Sequence, residues 1–164
     1  MSFGEEFDKG RMAFGALANR FHIDRLDLSG LDAGQVKNAV TAHVQGFYAR
    51  AYGETSHYFR TLEEILWFVD SYGEKSIVGF QLVTFESISD RRSRDVARQR
   101  YARIVASSLS NAELDCLFIY CMAAEGLGLK TLVERYGLFK NMLPRQNIHN
   151  ENIRPIYSQA AFKE

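Results

Sequence analysis

Ser110-Asn-Ala-Glu113-Leu-Asp-Cys116-Leu-Phe118-Ile-Tyr-Cys121-Met-Ala-Ala-Glu125 settles the class of this chain. Ser110 and Glu113 have capping-box spacing. The Ser hydroxyl can accept from the backbone N–H three residues on, and the Glu can reach back to the N–H of Ser110. A helix start near Asn111 follows. From Leu114 to Ala124 the run is apolar almost all the way round: Leu114, Leu117, Phe118 and Cys121 share one face, and Cys116, Ile119 and Tyr120 fill the others. A helix without a polar side is buried on most sides. At about eleven residues it is far too short for a bilayer, which needs about 20. It is therefore predicted to be the central helix of a soluble bundle, ended by Gly126 and Gly128. A second short helix, Leu129 to Tyr136, precedes Gly137-Leu-Phe-Lys140-Asn141.

Outward from this centre the pattern stays helical. Ser2 to Arg20 reads as an amphipathic helix with Phe3, Phe7, Phe14 and Leu17 as its apolar positions, and Phe21 to Gly30 as a connection. Asp32 can cap a second helix that runs to about Tyr52, with Val36, Val40, Val44, Phe47 and Tyr48 inward and Gly53 as its stop. A third helix is expected from Thr55 or Ser56 to just before Gly73. Tyr58, Phe59, Leu62, Ile65, Leu66 and Val69 form its core stripe, while His57, Arg60, Glu64 and Trp67 lie opposite. Ser76 to Ile88 suits a strand or a helix. With no partner strand signal anywhere, it is read as helical. After Ser89–Asp95 a helix runs to about Ser108. Both prolines, Pro144 and Pro155, follow the last helix, and the polar tail from Arg145 to Glu164 is expected to be an irregular arm or mobile. The expected fold is all-α: a single compact helical bundle of about five to seven helices with a buried central helix. The whole chain, 1–164, is read as one domain: 1–30 an N-terminal helix and connection, 31–142 the core, 143–164 a C-terminal arm.

The composition excludes several function classes. The 164 residues are 46 % apolar and 24 % charged with a net charge of zero, which gives no global bias toward nucleic acid or membrane. Residues 1–20 carry Glu5, Glu6, Asp8, Lys9 and Arg11 and lack the apolar core of a signal peptide, so a cytoplasmic location is expected. Cys116 and Cys121 diverge by about 140° around a helix and cannot bridge each other. They are expected to be buried, reduced thiols. No Cys/His cluster has zinc spacing, and no Walker loop, nucleophile elbow or dinucleotide fingerprint occurs, so neither metal nor cofactor is expected.

Tyr101-Ala102, then Leu109-Ser110-Asn111-Ala-Glu113-Leu114, then Gly128-Leu-Lys-Thr-Leu-Val-Glu134-Arg-Tyr136-Gly-Leu138-Phe139-Lys140-Asn141, resemble the putative phage abortive infection protein family. Its pattern is an LSN-x-EL helix start followed by L-x-E-x-Y-x-L-(F/L)-K-N. His57-Tyr58-Phe59-Arg60-Thr-Leu62, leading to Phe68-Val-Asp70, resembles the family's other recurrent block. Together the blocks span roughly the middle two thirds of the chain, in the family's order. The resemblance implies defence against phage. It also implies membrane helices before the conserved part in many members, which this chain does not show. The chain departs from the pattern just before Leu109, where the family tends to have an Arg and a Gln and this chain has Ala106-Ser107-Ser108.

Several residues are candidates for chemistry. His57 and Arg60 are one turn apart. A His can shuttle protons and an Arg can steady a phosphoryl transition state, a pairing suited to metal-independent RNA cleavage. Arg60 could instead pair with Glu64 across one turn, while His57 and Tyr58 bond to neighbouring backbone. Helical HEPN ribonucleases use an Arg and a following His with four to six residues between them. Arg50 and His57 meet the widest form of that spacing, though Gly53 is expected to break the helix between them and Ala51 replaces the usual polar residue. Arg145 and His149 are one residue too close. Asn111, Glu113, Lys140 and Asn141 belong to the resemblance blocks. Ser110 and Glu113 have a capping role, and Lys140-Asn141 suits a helix C-terminus. Arg91, Arg94 and Arg98 fall on one helical stripe, within a local excess that includes Arg92, Arg100 and Arg103. The stripe could contact phosphate backbone or be a solvated face. The expected partner is a phage or host protein, bound by a sensor or effector through a surface that includes Tyr58 and Glu64. The alternative is an HEPN-like ribonuclease toxin acting on RNA through His57 and Arg60. No membrane partner is expected, and a homo-oligomer is compatible with the sequence.

Overall fold

A computed structural model describes residues 3–22, 26–71, 88–143 and 153–163, with the side chains of 3–11, 50–54 and 88–90 outside the description. Five α-helices are found among the described residues: α1 (Phe3–Arg20), α2 (Ala33–Asp70), α3 (Ile88–Ser108), α4 (Asn111–Tyr120) and α5 (Leu127–Tyr136). A short 3-10 turn at Ala124–Gly126 lies between α4 and α5, two more follow α5 at Arg154–Ile156 and Gln159–Phe162, and no strand occurs among the described residues. The all-α expectation holds.

α4 is the centre that its sequence predicts. The Ser110 hydroxyl accepts the Glu113 N–H at 3.3 Å, and the Glu113 carboxylate accepts the Ser110 N–H at 2.7 Å. Every residue from Glu113 to Ala123 is buried. α1 packs along α4, and the Cys116 thiol donates to the Phe14 carbonyl at 3.4 Å. Phe59 of α2 stacks on Tyr120 with ring centroids 4.7 Å apart. On the remaining side the C-terminal turns close over the helix: the Tyr157 hydroxyl donates to the Phe118 carbonyl at 2.5 Å, and Phe118, Phe139 and Tyr157 form one aromatic cluster. Both cysteines are free and buried, and burial pushes the Cys121 thiol well up from its ordinary range.

Several sequence expectations are corrected. Gly53 does not stop a helix. α2 is one helix of 38 residues, about 57 Å long at 1.5 Å per residue, and it replaces the two helices expected over 32–52 and 55–72. Its buried positions explain why. Val36, Val40, Val44, Tyr48, Thr55, Phe59, Leu62, Leu66 and Val69 keep one helical phase across Gly53. A continuous buried stripe outweighs the roughly 1 kcal/mol that an interior glycine costs. Ile65, placed on that stripe from the sequence, is 44 % exposed. The central helix ends at Tyr120 rather than Ala124; the chain turns through Cys121–Ala123 and bends by 109° into the next helical segment. Lys140-Asn141 does not end the last helix, because α5 stops at Tyr136 with Gly137 in the left-handed conformation (φ 63°) as its cap. α3 begins at Ile88, earlier than Asp95. The described part of the arm is ordered into the core, with Ile153, Tyr157 and Ala161 buried. The Ser76–Ile88 helix, apart from Ile88, lies outside the described residues, as do Phe3 and Phe7 as side chains, and Arg145 and His149.

Candidate functional site

Two surfaces collect polar side chains that the core does not consume. The first is the outer face of α2. Because Phe59, Leu62 and Leu66 point inward, the helical repeat puts His57, Arg60, Glu64 and Trp67 outward, and all four are exposed. Phe68 joins them at 71 % exposure, beside Trp67 at 48 %. The sequence pattern found the four polar and aromatic members of this face but not Phe68, whose apolar character alone does not reveal its direction. Tyr58 leaves the face. It is half-buried, and its hydroxyl donates to Glu113 Oε1 at 2.8 Å. Glu113 is thereby fully occupied, its other oxygen accepting from the N–H and hydroxyl of Ser110. Asn111 is exposed at the start of α4 and joins neither surface.

The second surface is a cleft of about 690 Å³ between α3, the C-terminal end of α5 and the last turn of the arm. Arg103 lines it from α3, Arg135 from α5, Lys140 and Asn141 from the turn after α5, and Lys163 from the arm. Ala106 and Ser107, where this chain departs from the resemblance pattern, line the same cleft, and Arg103 supplies a cation one turn earlier. The Arg91, Arg94 and Arg98 stripe lies elsewhere on α3. Arg91 is exposed, whereas Arg94 and Arg98 are half-buried on the side that carries buried Ala102, and Arg98 meets Asp95 at 3.6 Å. It is therefore not a wholly solvated face.

The cleft is tied to α2 through Asp70. Arg135 Nη1 donates to Asp70 Oδ2 and the Tyr136 hydroxyl to Oδ1, each at 2.5 Å. Burial pushes the Asp70 carboxyl up, but the hydrogen bonds from Tyr136 and Arg135 and the charges of Arg135 and Arg98 outweigh it, so its net shift is downward. Burial, and then the bond to Asp70, push the Tyr136 phenol up. A carboxyl whose folded value lies below its unfolded one stabilises the fold above the ordinary aspartate value. That contribution is lost as pH falls through the folded value. Asp70→Asn should therefore cost about 1–2 kcal/mol near neutral pH. Its urea midpoint should approach that of the wild type below about pH 4. An unchanged gap at acid pH would show that the charge on Asp70 is not the stabilising element.

α2 also measures how far apart the two surfaces are. Asp70 of α2 accepts from Arg135 and Tyr136, which line the cleft. Arg60 lies about 15 Å and His57 about 20 Å back along the same helix axis. His57 and Arg60 thus share one exposed face, Lys140 and Asn141 share the cleft, and the two pairs do not converge. With α2 continuous, positions 50 and 57 fall on one side of a single helix, two turns apart. Among the described residues no group of three His, Cys, Asp or Glu side chains could hold a metal ion, and no single helix is long and apolar enough to cross a membrane.

In comparisons with known proteins, residues 53–147 match the family model described as "Putative phage abortive infection protein". The match covers more than half of the chain and takes in the second half of α2, all of α3, α4 and α5, and the turn that carries Lys140 and Asn141. No curated protein and no solved structure matches the chain.

Proposed function

The chain belongs to the family of putative phage abortive infection proteins, and from that membership we propose that it takes part in cytoplasmic defence against phage by binding a phage or host protein through the outer face of α2. The observation that carries this reading is the exposed aromatic pair Trp67 and Phe68, set beside His57, Arg60 and Glu64. Aromatic residues and Arg are the types that dominate binding energy at protein interfaces when they become buried there. Left in water, the same side chains contribute little to the fold.

A second reading is an HEPN-like ribonuclease. It is favoured by the continuity of α2, which removes the expected break between positions 50 and 57 and sets Arg60 on the same face as His57.

Two stable double variants test the proposal. His57→Ala with Arg60→Ala, and Trp67→Ala with Phe68→Ala, each alter only exposed side chains. Each should therefore leave stability within about 1 kcal/mol of the wild type. Both should abolish protection in a plaque assay. Intact cellular RNA throughout infection of the protected wild type supports protein binding, whereas infection-dependent cleavage lost with His57→Ala supports the ribonuclease. Full protection by both folded double variants would overturn both readings.

A further inference from the structure

Four cations line the cleft between α3, α5 and the arm: Arg103, Arg135, Lys140 and Lys163. Among the described residues no Asp or Glu lines the cleft, although Asp70 pairs with Arg135 from α2 and the chain as a whole balances 20 basic against 20 acidic residues. The concentration is therefore a product of the fold and not of the composition. Three separate segments have to meet to create it.

The meeting depends on Gly137. Its left-handed backbone ends α5, and a Cβ there would lie 2.3 Å from the Lys163 carbonyl oxygen, so only glycine lets the arm come this close. The Phe139 N–H then donates to the Ala161 carbonyl at 2.9 Å, and this bond fixes the arm that carries Lys163.

We propose that this cleft binds the phosphate groups of a nucleotide ligand. Its 690 Å³ lies in the range that small organic ligands occupy, about 300–1,000 Å³. A concave wall lined by one sign of charge focuses potential and raises the local concentration of anions. Arg103 presents a planar fork that matches phosphate oxygens in pairs, Arg135 offers the N–H groups that Asp70 does not take, and the lysines act as point charges. Arg135 is pre-oriented by Asp70, which reaches it from α2. Ala106, Gly137 and Ala160 give the cleft small side chains, so a ligand can approach the backbone closely. The amides of Gln99 and Asn141, each both donor and acceptor, are suited to a ribose or a base edge. The phosphates could come from a free nucleotide or from a strand of RNA, since both present the same group. The inference is independent of the α2 face, so a failure of one leaves the other standing.

The test uses the full chain with two probes: ATP, followed by calorimetry, and a short fluorescein-labelled single-stranded RNA, followed by anisotropy across a salt series. At least one probe should bind, and Arg103→Ala with Lys140→Ala should weaken it by tenfold or more, about 1.4 kcal/mol. For RNA, the salt dependence should also become shallower by about one unit for each phosphate contact removed. Arg103→Lys with Lys140→Arg should restore most of the affinity, and Lys37→Ala, an exposed position at the far end of α2, should leave it unchanged. Binding of ATP at least as tight as that of RNA identifies a free nucleotide as the source, and binding of RNA alone identifies a strand. If the Ala pair does not fold, Lys163→Gln, at the exposed end of the arm, gives the same readout. Absence of binding by both probes, or binding unaffected by charge removal in a folded variant, would overturn the proposal.

Discussion

Phe118→Asp should yield no soluble, folded protein. Phe118 is 1 % exposed, its ring lies 4.7 Å from that of Tyr157 and 5.4 Å from that of Phe139, and its carbonyl accepts the Tyr157 hydroxyl. Removing the ring alone, as in Phe118→Ala, costs about 3–5 kcal/mol in a core of this kind. Placing a carboxylate there adds the penalty of an unpaired buried charge, several kcal/mol more after relaxation. Together these approach or exceed the whole stability of a typical domain, about 5–15 kcal/mol. Loss of the soluble fraction and of the far-ultraviolet helical signal on expression would be the expected result. A cooperative melt for Phe118→Asp would show that α4 is not enclosed on the side closed by the arm.

The centre of the fold was legible because its signals are local. A capping box lies within four residues, and all-round apolarity lies within eleven, so Ser110–Ala123 could be read without knowing its neighbours. Errors arose where local signals competed with packing. Gly53 is a valid stop by propensity, yet the buried stripe of α2 keeps its phase across it, and the stripe prevails. Ile65 belongs to the apolar set by character but falls at the edge of the buried arc, where exposure is decided by what packs alongside. The arm looks polar, and its docking rests on only three residues, Ile153, Tyr157 and Ala161, spaced four apart in a segment that forms short 3-10 turns and no α-helix.

The two surfaces differ in the same way. The α2 face is a single helix side, so its residues share a period and His57, Arg60, Glu64 and Trp67 could be grouped from spacing alone. The cleft draws on Arg103, Arg135, Lys140 and Lys163, which share no period and come from segments more than twenty residues apart at the widest steps. Only the Arg91–Arg103 excess and the Lys140-Asn141 pair hinted at it, and the regular Arg91, Arg94 and Arg98 stripe pointed to a different side of α3.

Gly126→Ala should destabilise the protein strongly, while Gly128→Ala, two residues away, should not. At Gly126 an added Cβ would lie 2.1 Å from the Tyr120 carbonyl oxygen, 2.7 Å from its carbon and 2.8 Å from the Cys121 Cα. All three are backbone atoms at the buried turn where α4 gives way to α5, and they can yield only if one helix shifts against the other. Overpacking of this kind costs about 1–3 kcal/mol and sometimes more. In a chain of this size each kcal/mol lowers the melting temperature by about 2–4 °C, so a loss of up to about 10 °C is expected. At Gly128 the nearest atom is the Glu63 carboxylate oxygen at 2.3 Å, the far end of a side chain that can rotate away. Because Gly128 lies in the first turn of α5, Ala there also gains helix propensity, up to about 1 kcal/mol, so its melting temperature should stay level or rise. Thermal melts of the two single variants in parallel check both halves. Equal and small effects would mean that the α4–α5 turn is loose, and with it the enclosure of the central helix at its C-terminal end.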